Sequence, residues 1–221
     1  MDVFEEITIG ALLHDIGKVR QRAETKPAIK RHQEWGAEWL DANGLSDFRE
    51  FSLYHHRLSQ DDPKRDMLSI DRSSQSYRGD LWIVFEADNL SSAERMEERR
   101  EEWDQQIPLV SILSTLRLRS DAGDSGRSKI FAFPTVLGTE YPFPQQYSRG
   151  LETSPVASPD SYRKILAEIE AAIHLLTSKG MLTCDSLLPL LEGTLSFVPS
   201  ETGYDPSDPS KNPDVSLFDH L

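Results

Sequence analysis

Leu12-Leu13-His14-Asp15-Ile16-Gly17-Lys18 is the stretch that says most about the fold of this chain, because it sets an imidazole beside a carboxylate at the end of an apolar run. Apolar residues before it recur at helical spacing: Val3, Phe4, Ile7 and Ala11. Gly17 is a typical helix-ending residue. We therefore predict a first helix with His14 and Asp15 in its last turn, where the pair suits a divalent metal.

The other histidines strengthen this interpretation, since a His-Asp pair alone is weak evidence. Five of the six histidines stand in contexts that allow them to face one cavity: His14, His32, His55, His56 and His220. The sixth, His174, lies beside the apolar stripe of a later predicted helix and is interpreted as structural. One shared site is the economical explanation for the five.

The composition limits the kind of site. Cys184 is the only cysteine of the 221 residues, so any metal must be held by nitrogen and oxygen, which favours a catalytic site over a zinc finger. A net charge of -13 argues against a protein that coats nucleic acid by bulk charge. Between positions 18 and 31, however, basic residues outnumber Glu24: Lys18, Arg20, Arg22, Lys26, Lys30 and Arg31. This patch is either a phosphate-binding surface or a solvated basic loop.

A membrane location is not expected. No apolar run approaches the roughly 20 residues that cross a bilayer. The first residues, Met1-Asp2-Val3-Phe4-Glu5-Glu6, are acidic where a signal peptide is basic. We predict a cytoplasmic protein.

Two further helices are predicted before residue 60. Pro27 opens one that contains His32 and stops at Asn43-Gly44. Another begins near Ser46 and ends in His55-His56-Arg57. The polar stretch 59–79 has the composition of a loop.

Asp88 interrupts an apolar run, residues 80–90, that marks a buried helix or strand. A buried carboxylate is costly unless it is paired, hydrogen-bonded or bound to metal. The alternative is that Asp88 caps a following helix over 89–99. Either way, the position requires a partner.

The second half of the chain carries fewer chemical signals. Residues 96–106 form a charge-dense helix or linker, and 121–158 an irregular or β insertion whose best strand candidate is 129–134. Helices are predicted at 160–178, ending at Gly180, and at 184–197, bent by Pro189. A polar loop follows at 199–213. Residues 214–221 have the pattern of a capped helix entry, so we expect the natural protein to continue.

Four segments together resemble the HD superfamily of metal-dependent phosphohydrolases, and most specifically the N-terminal HD domain of the large, polymerase-like subunit of type III CRISPR effector complexes, in its type III-A version. The segments are Gly10 to Lys18 with Arg22-Ala23, Tyr54-His55-His56, Ala87-Asp88-Asn89-Leu90-Ser91-Ser92-Ala93-Glu94-Arg95, and Val215 to His220. Their order is specific, because that family is circularly permuted and supplies a lone histidine last, as His220 does here.

The resemblance implies a mainly α fold: a circularly permuted HD helical bundle spanning 1–221, with the small insertion at 121–158. It implies one metal held by His220, His14, Asp15 and Asp88, and a second held by Asp15 as a bridge with His32, His55 and His56. Lys18 would steady a phosphate. Imidazole and carboxylate ligands suit divalent Mn, Fe, Co, Ni or Zn, and two such ions can clamp a displacement at phosphorus. The family's palm domains, with their Gly-Gly-Asp-Asp motif, are absent from these residues.

The leading functional hypothesis is therefore a metal-dependent nuclease for single-stranded DNA in antiviral defence, with other effector subunits and guide RNA as partners of the full-length protein. Trp35, Trp39 or Tyr54 could stack bases, although helical spacing favours core positions for them. Two alternatives stay open: an HD phosphohydrolase acting on nucleotides or a cyclic dinucleotide, and a non-catalytic scaffold module within a ribonucleoprotein.

Overall fold

The computed structural model describes residues 1–25, 30–57, 63–74, 78–93, 102–111, 128–130, 144–147, 157–204 and 213–221. The helices are α1 (Val3–Leu13), α2 (Ile16–Arg22), α3 (His32–Ala42), α4 (Arg49–Leu53), α5 (Pro63–Asp66), α6 (Arg78–Ala93), α7 (Pro159–Ser178), α8 (Cys184–Leu195) and α9 (Leu217–His220). Single 3₁₀ turns occupy Ser46–Phe48 and Ile70–Arg72. The mainly helical fold predicted from the sequence is confirmed.

Polar side chains determine where several helices begin. Asp2 accepts a hydrogen bond from the Glu5 amide at the start of α1, and Ser158 accepts one from Ser161 before α7. Ser216 does the same for the Asp219 amide at the start of α9. Such caps satisfy amides that have no acceptor within the helix. The helix entry predicted at the end of the chain is therefore present.

One apolar core joins the helices. Its largest fully buried side chains come from α1, α3, α4, α6, α7, α8 and the second 3₁₀ turn: Ile9, Leu13, Leu40, Phe51, Ile70, Leu81, Tyr162, Ile169, Ile173, Leu187 and Leu191. The α7 contribution is the stripe predicted from its periodicity. The first turn of α1 departs from expectation, because Val3 and Phe4 are 63% and 76% exposed. The core begins only at the middle of α1.

Two small antiparallel sheets accompany the helices. β1 (Glu102–Trp103) pairs with β4 (Gly203–Tyr204), and β2 (Ser128–Ile130) pairs with β3 (Gln145–Tyr147). Residues 102–106 of the segment predicted as a charge-dense helix or linker contain a strand, and 96–101 lie outside the described residues. Residues 199–213 are not wholly a polar loop. Tyr204 is buried there, and its hydroxyl bonds the Glu102 carboxylate. The β2–β3 pair fits the predicted insertion at 121–158, most of which lies outside the described residues.

The predictions for the first half of the chain are confirmed in part. The helix predicted from Ser46 to His55-His56-Arg57 is a 3₁₀ turn followed by α4, which ends at Leu53. α3 stops before Asn43-Gly44, and Gly44 has a positive φ of 72°. The predicted loop at 59–79 contains α5 and a 3₁₀ turn. Pro27 lies outside the described residues, and α3 begins at His32. Among the described residues no helix has the length and apolar character needed to cross a bilayer.

Candidate metal centre

His14 and Asp15 form a buried turn between two helices rather than the last turn of one. α1 ends at Leu13 and α2 begins at Ile16, so Gly17 is the second residue of α2 and not a helix stop. A Cβ on Gly17 would lie 1.8 Å from the His32 carbonyl oxygen. The glycine is therefore required by close packing of α2 on α3, which brings His32 towards Asp15.

The histidines of α3 and of the segment after α4 meet on one side of Asp15. The Nε2 atoms of His32 and His55 are 3.2 Å apart, and they lie 3.5 and 3.6 Å from Asp15 Oδ1. The rings of His55 and His56 are 4.1 Å apart between centroids. His55 is fully buried, whereas His32 and His56 are partly exposed.

Asp88 and His220 meet Asp15 and His14 on the other side. His220 Nε2 lies 3.1 Å from both Asp15 Oδ2 and Asp88 Oδ1. His14 Nε2 lies 3.4 Å from Asp15 Oδ2 and 3.8 Å from Asp88 Oδ1. Asp88 is inside α6, so the alternative that it caps a following helix is wrong.

The seven candidate ligands thus fall into two groups that each offer a set of donor atoms within 4.8 Å of one another: His14, Asp15, Asp88 and His220 in one, and His32, His55 and His56 in the other. The two oxygens of Asp15 face different groups. Asp88 also contacts the second group, since its Oδ2 is 3.3 Å from His56 Nδ1. The residues singled out from the sequence are therefore brought to one place.

Hydrogen bonds to the far ring nitrogens orient three of the imidazoles. His14 Nδ1 donates to the Ala11 carbonyl and His55 Nδ1 to the Ser52 carbonyl, at 2.6 and 2.7 Å. Ser91 Oγ donates to the His220 carbonyl, so it accepts from His220 Nδ1, which lies 2.9 Å away. In each ring Nε2 is then the nitrogen that faces the carboxylates. Such outer contacts fix the tautomer of metal-binding histidines.

Several polar atoms at the centre are buried without a hydrogen bond in the described part of the chain. They are His14 Nε2, Asp15 Oδ1 and Asp88 Oδ1. Buried polar atoms are almost always satisfied, and a carboxylate oxygen left without a donor is costly. A cation among these donors would satisfy all three, so the residues present fit a divalent metal of the kind that nitrogen and oxygen ligands hold.

The electrostatics of the two carboxylates point the same way. Burial alone would lower the pKa of His14, but Asp15 and Asp88 outweigh it and raise that pKa to about 10. Burial would raise the pKa values of Asp15 and Asp88. Lys18 and His14 nevertheless hold the pKa of Asp15 well below the ordinary range, and the neighbouring histidines do the same for Asp88. The carboxylates are therefore ionised and attract positive charge.

Two imidazoles of the second group, those of His32 and His55, are held neutral. Burial lowers the pKa of His32 to about 3, with Lys18 and His56 adding to the effect, against the pull of Asp15. Burial, together with His56 and His14, also lowers the pKa of His55 well below its ordinary value. Neutral imidazole is the form that binds metal.

Lys18 is placed at the edge of the centre. Its Nζ is 2.5 Å from Asp15 Oδ2, and its side chain is 18% exposed. The ammonium therefore compensates the buried Asp15 and lies between the centre and solvent. The rest of the basic patch is largely engaged elsewhere: Arg20 pairs with Glu24, Lys30 pairs with Glu38, and Arg22 is buried. Lys26 lies outside the described residues.

The aromatic residues considered for base stacking lie in the core or pack against neighbouring side chains, so they do not form an open stacking surface at the centre. Trp39 is 3% exposed and its Nε1 donates to Glu170, so it belongs to the core. Trp35 has Arg20 and Lys30 within 5.0 Å of its ring centroid. Tyr54 is partly buried against the core. His174 is exposed on α7, apart from the five clustered histidines.

Ser91 is the contributor that the sequence reasoning missed. It follows Asp88 by three residues and therefore lies on the same face of α6. That spacing was a usable signal, because a hydroxyl one turn from a ligand carboxylate is well placed to orient a second ligand.

The chain is similar to known proteins. The HD domain family matches residues 2–93. Proteins named CRISPR system single-strand-specific deoxyribonuclease Cas10/Csm1 (subtype III-A) are similar over nearly the whole chain. That of Thermococcus onnurineus is 29% identical over 100% of this chain and 26% of its own length. That of Mycobacterium tuberculosis is 30% identical over 98% of this chain and 27% of its own length.

Solved structures show a similarity to the same group of proteins. The crystal structure of Csm1 in T. onnurineus superposes with a TM-score of 0.62 and 27% identity, covering 100% of this chain and 27% of that one. The Csm1-Csm4 subcomplex in the type III-A CRISPR-Csm interference complex gives 0.61 and 26% identity, again over 100% of this chain and 26% of that one. The chain spans about a quarter of the length of these relatives. Residues 2–93 match the HD domain family, and the whole chain is similar to the Cas10/Csm1 proteins of subtype III-A CRISPR systems.

Proposed function

We propose that this chain is a metal-dependent nuclease domain that cuts single-stranded DNA. The observation that carries the proposal is the position of Asp15, whose two carboxylate oxygens face two separate groups of imidazoles. A carboxylate shared in this way is suited to bridge two metal ions. Two metal ions held side by side would be the arrangement expected for hydrolysis of a phosphodiester.

The proposed ligand sets follow the two groups. His14, Asp15, Asp88 and His220 would hold one ion, and Asp15 with His32, His55 and His56 would hold the other. Mixed imidazole and carboxylate ligands suit Mn, Co, Ni or Fe. When bound, such ions activate water as a nucleophile and stabilise the charge that develops on phosphate.

The chain's own residues would divide the remaining work. The carbonyls of Ala11 and Ser52 hold His14 and His55 with Nε2 turned to the centre. Lys18 keeps Asp15 ionised and, from its partly exposed position, would steady a non-bridging phosphate oxygen. We propose His14, Asp15 and Lys18 as the residues closest to the chemistry.

The substrate is proposed from the relatives, whose names describe single-strand-specific deoxyribonucleases. Their similarity covers nearly all of this chain, so we extend the HD-type unit to residues 1–221, with His220 supplied last. The circular permutation stays a prediction.

Partners are proposed on the same basis. Solved Csm1 structures contain Csm4, and we propose that the protein containing this chain assembles with a similar subunit, with guide RNA bound by the complex. A cytoplasmic location without membrane attachment stays a prediction.

The direct test incubates the purified chain with end-labelled single-stranded DNA and manganese, beside His14→Ala and Asp15→Ala. His174→Ala is the matched control, because His174 is exposed on α7. We expect cutting by the wild type and the control alone. Equal cutting by all four proteins would refute the proposal. Release of phosphate from a nucleoside triphosphate, with DNA left intact, would favour the nucleotide phosphohydrolase instead.

A scaffold role would give a third result. The wild-type chain would bind no transition metal at neutral pH, as measured by elemental analysis after gel filtration, and would cut neither substrate. The two-group centre predicts bound metal in the wild type and its loss in Asp15→Ala.

A further inference from the structure

A cleft of about 430 Å³ opens beside the second histidine group. It is lined by Arg31, His32, Gln33, His56, Arg57 and Phe85. Its volume is within the range of about 300 to 1,000 Å³ that is typical of small-ligand sites. Since His32 and His56 belong both to the cleft and to the candidate metal centre, a molecule in the cleft would extend to the reacting phosphate.

Positive charge is concentrated at this cleft. Arg31 directly precedes His32 and Arg57 directly follows His56, so two guanidinium groups accompany the two histidines. Arg57 uses Nε to bind Asp71 at 3.2 Å, and the Arg57 side chain is 61% exposed. Among the described residues no carboxylate forms an ion pair with Arg31. Arginine is well suited to hold phosphate oxygens in a two-pronged contact.

Gln33 adds a second, independent sign that a polar ligand belongs here. Its side chain is 1% exposed, yet neither Nε2 nor Oε1 has a hydrogen-bond partner in the part of the chain that the structure describes. Buried amides are normally satisfied. Gln33 is also in the first turn of α3, where the helix end carries partial positive charge that favours an anion.

Phe85 supplies an apolar face in the same cleft. The ring is partly buried, and Trp82 packs against it edge to face at 5.0 Å, which fixes its orientation. Nucleic-acid bases stack on aromatic side chains with little regard to sequence. A base inside a duplex is already stacked between its neighbours, so only an unpaired base could use this face.

We infer that the cleft is a nucleotide subsite in which Arg31 and Arg57 bind a backbone phosphate next to the one that is cut, and Phe85 stacks on the attached unpaired base. The inference rests on the proposed function and specifies which residues give it a preference for single strands. Gln33 would complete its hydrogen bonds with the nucleotide.

The test measures binding separately from cutting. The wild-type chain is titrated against a fluorescein-labelled oligothymidylate in EDTA, so that the strand stays intact, and anisotropy is followed at several salt concentrations. Arg31→Ala and Arg57→Ala should each weaken binding and lower the slope of log affinity against log salt, and the double variant should lower that slope by about 0.7, the value for one phosphate of a single strand. Arg163→Ala, which removes an exposed α7 arginine paired with Asp160, should change neither.

Phe85 is tested with a second strand of equal length that lacks its bases. Phe85→Leu keeps apolar volume but removes the aromatic face, and it should weaken binding of oligothymidylate by about tenfold while leaving the salt slope unchanged. The same variant should bind the base-free strand as the wild type does. Ile83→Ala, at an exposed apolar position of α6, is the control.

The outcomes separate the two proposals. If Arg31→Ala and Arg57→Ala show the salt slope of Arg163→Ala while the wild type cuts DNA with manganese, the subsite is wrong and the nuclease stands. If the slopes fall as expected but no protein cuts, the nuclease fails and a single-strand binding site remains. Equal loss of affinity for both strands in Phe85→Leu would overturn the stacking role.

Discussion

Asp15 Oδ2 lies 3.1 Å from His220 Nε2, although Asp15 is in the turn between the first two helices and His220 is in the last one. The contact closes the candidate metal centre only when α9 is docked against α6 and α8. Ser91 and the backbone of Val198 make that docking specific, through the Ser91 hydroxyl and the hydrogen bond from the Leu217 amide. Metal binding at this centre would therefore be coupled to the folding of the two ends of the chain.

Asp15→Asn should abolish stabilisation by metal. An ion that binds only the folded state at about one hundred times its Kd stabilises by about 2.7 kcal/mol, which for a chain of this size raises Tm by roughly 5 to 10 °C. The amide keeps the size of Asp15 but not its charge, so both ligand groups lose their shared oxygen donor. Differential scanning fluorimetry with and without manganese measures the shift.

The control for this experiment is His174→Asn, which alters an exposed histidine and should keep the full manganese shift. A manganese shift in Asp15→Asn as large as that of the control would contradict the bridging role.

Gly17→Ala should damage both the fold and the centre. The added Cβ would lie 1.8 Å from the His32 carbonyl oxygen and 2.6 Å from the Gly36 amide nitrogen, and both are backbone atoms that cannot move aside singly. Overpacking of this kind costs about 1 to 3 kcal/mol and sometimes more. Chemical denaturation should show a lower free energy of unfolding.

Gly79→Ala provides the comparison, because nothing lies within 4 Å of a Cβ built there and the residue is in α6. Its helix propensity improves, so its unfolding free energy should stay level or rise by up to about 1 kcal/mol. Similar destabilisation of the two variants would mean that the α2–α3 contact is not tight.

The packing role of Gly17 also shows why part of the centre could not be predicted from the sequence. A glycine after an apolar helical run either ends the helix or permits another backbone to approach closely. The local sequence pattern is the same in the two cases. The choice depends on α3, which is distant in sequence. In contrast, α7 was predicted nearly to the residue, because its apolar stripe, its Ser158 cap and Gly180 all act locally.

The pairing of β1 with β4 marks a second limit. Each strand has two residues, too few to establish an alternating pattern, and they come from segments about a hundred residues apart. The ligand types of the centre were predictable because imidazoles and carboxylates are scarce in apolar surroundings. The partners that orient them, Ser91 and the backbone carbonyls, leave no such compositional signal.

Arg22→Met should loosen the end of the chain. The Arg22 guanidinium is buried and donates to the carbonyls of Pro199 and Ser200, and that segment pairs with residues 215–217 ahead of His220. Loss of hydrogen bonds from a charged donor should lower the free energy of unfolding by about 2 to 3 kcal/mol. Manganese affinity should also fall, since His220 is held through this segment.

Urea denaturation with Arg163→Met as the control checks the first effect, because Arg163 is exposed. Arg22→Lys, which keeps the charge but not the fork of donors, should be intermediate. An unfolding midpoint for Arg22→Met equal to that of Arg163→Met would show that the buried guanidinium does not hold this segment.

Ser91→Ala should weaken metal binding more than it weakens the fold. Its hydroxyl accepts from His220 Nδ1 and donates to the His220 carbonyl, so it fixes both the ring and the backbone of a proposed ligand. Removal of an outer contact of this kind lowers metal affinity by about 10- to 100-fold. One lost hydrogen bond costs only about 1 kcal/mol of stability. Calorimetric titration with manganese should therefore show a raised Kd with a nearly unchanged melting curve. Ser178→Ala removes a comparable serine hydroxyl bond at the exposed end of α7 and should leave the Kd alone; identical Kd values for the two variants would exclude the orienting role of Ser91.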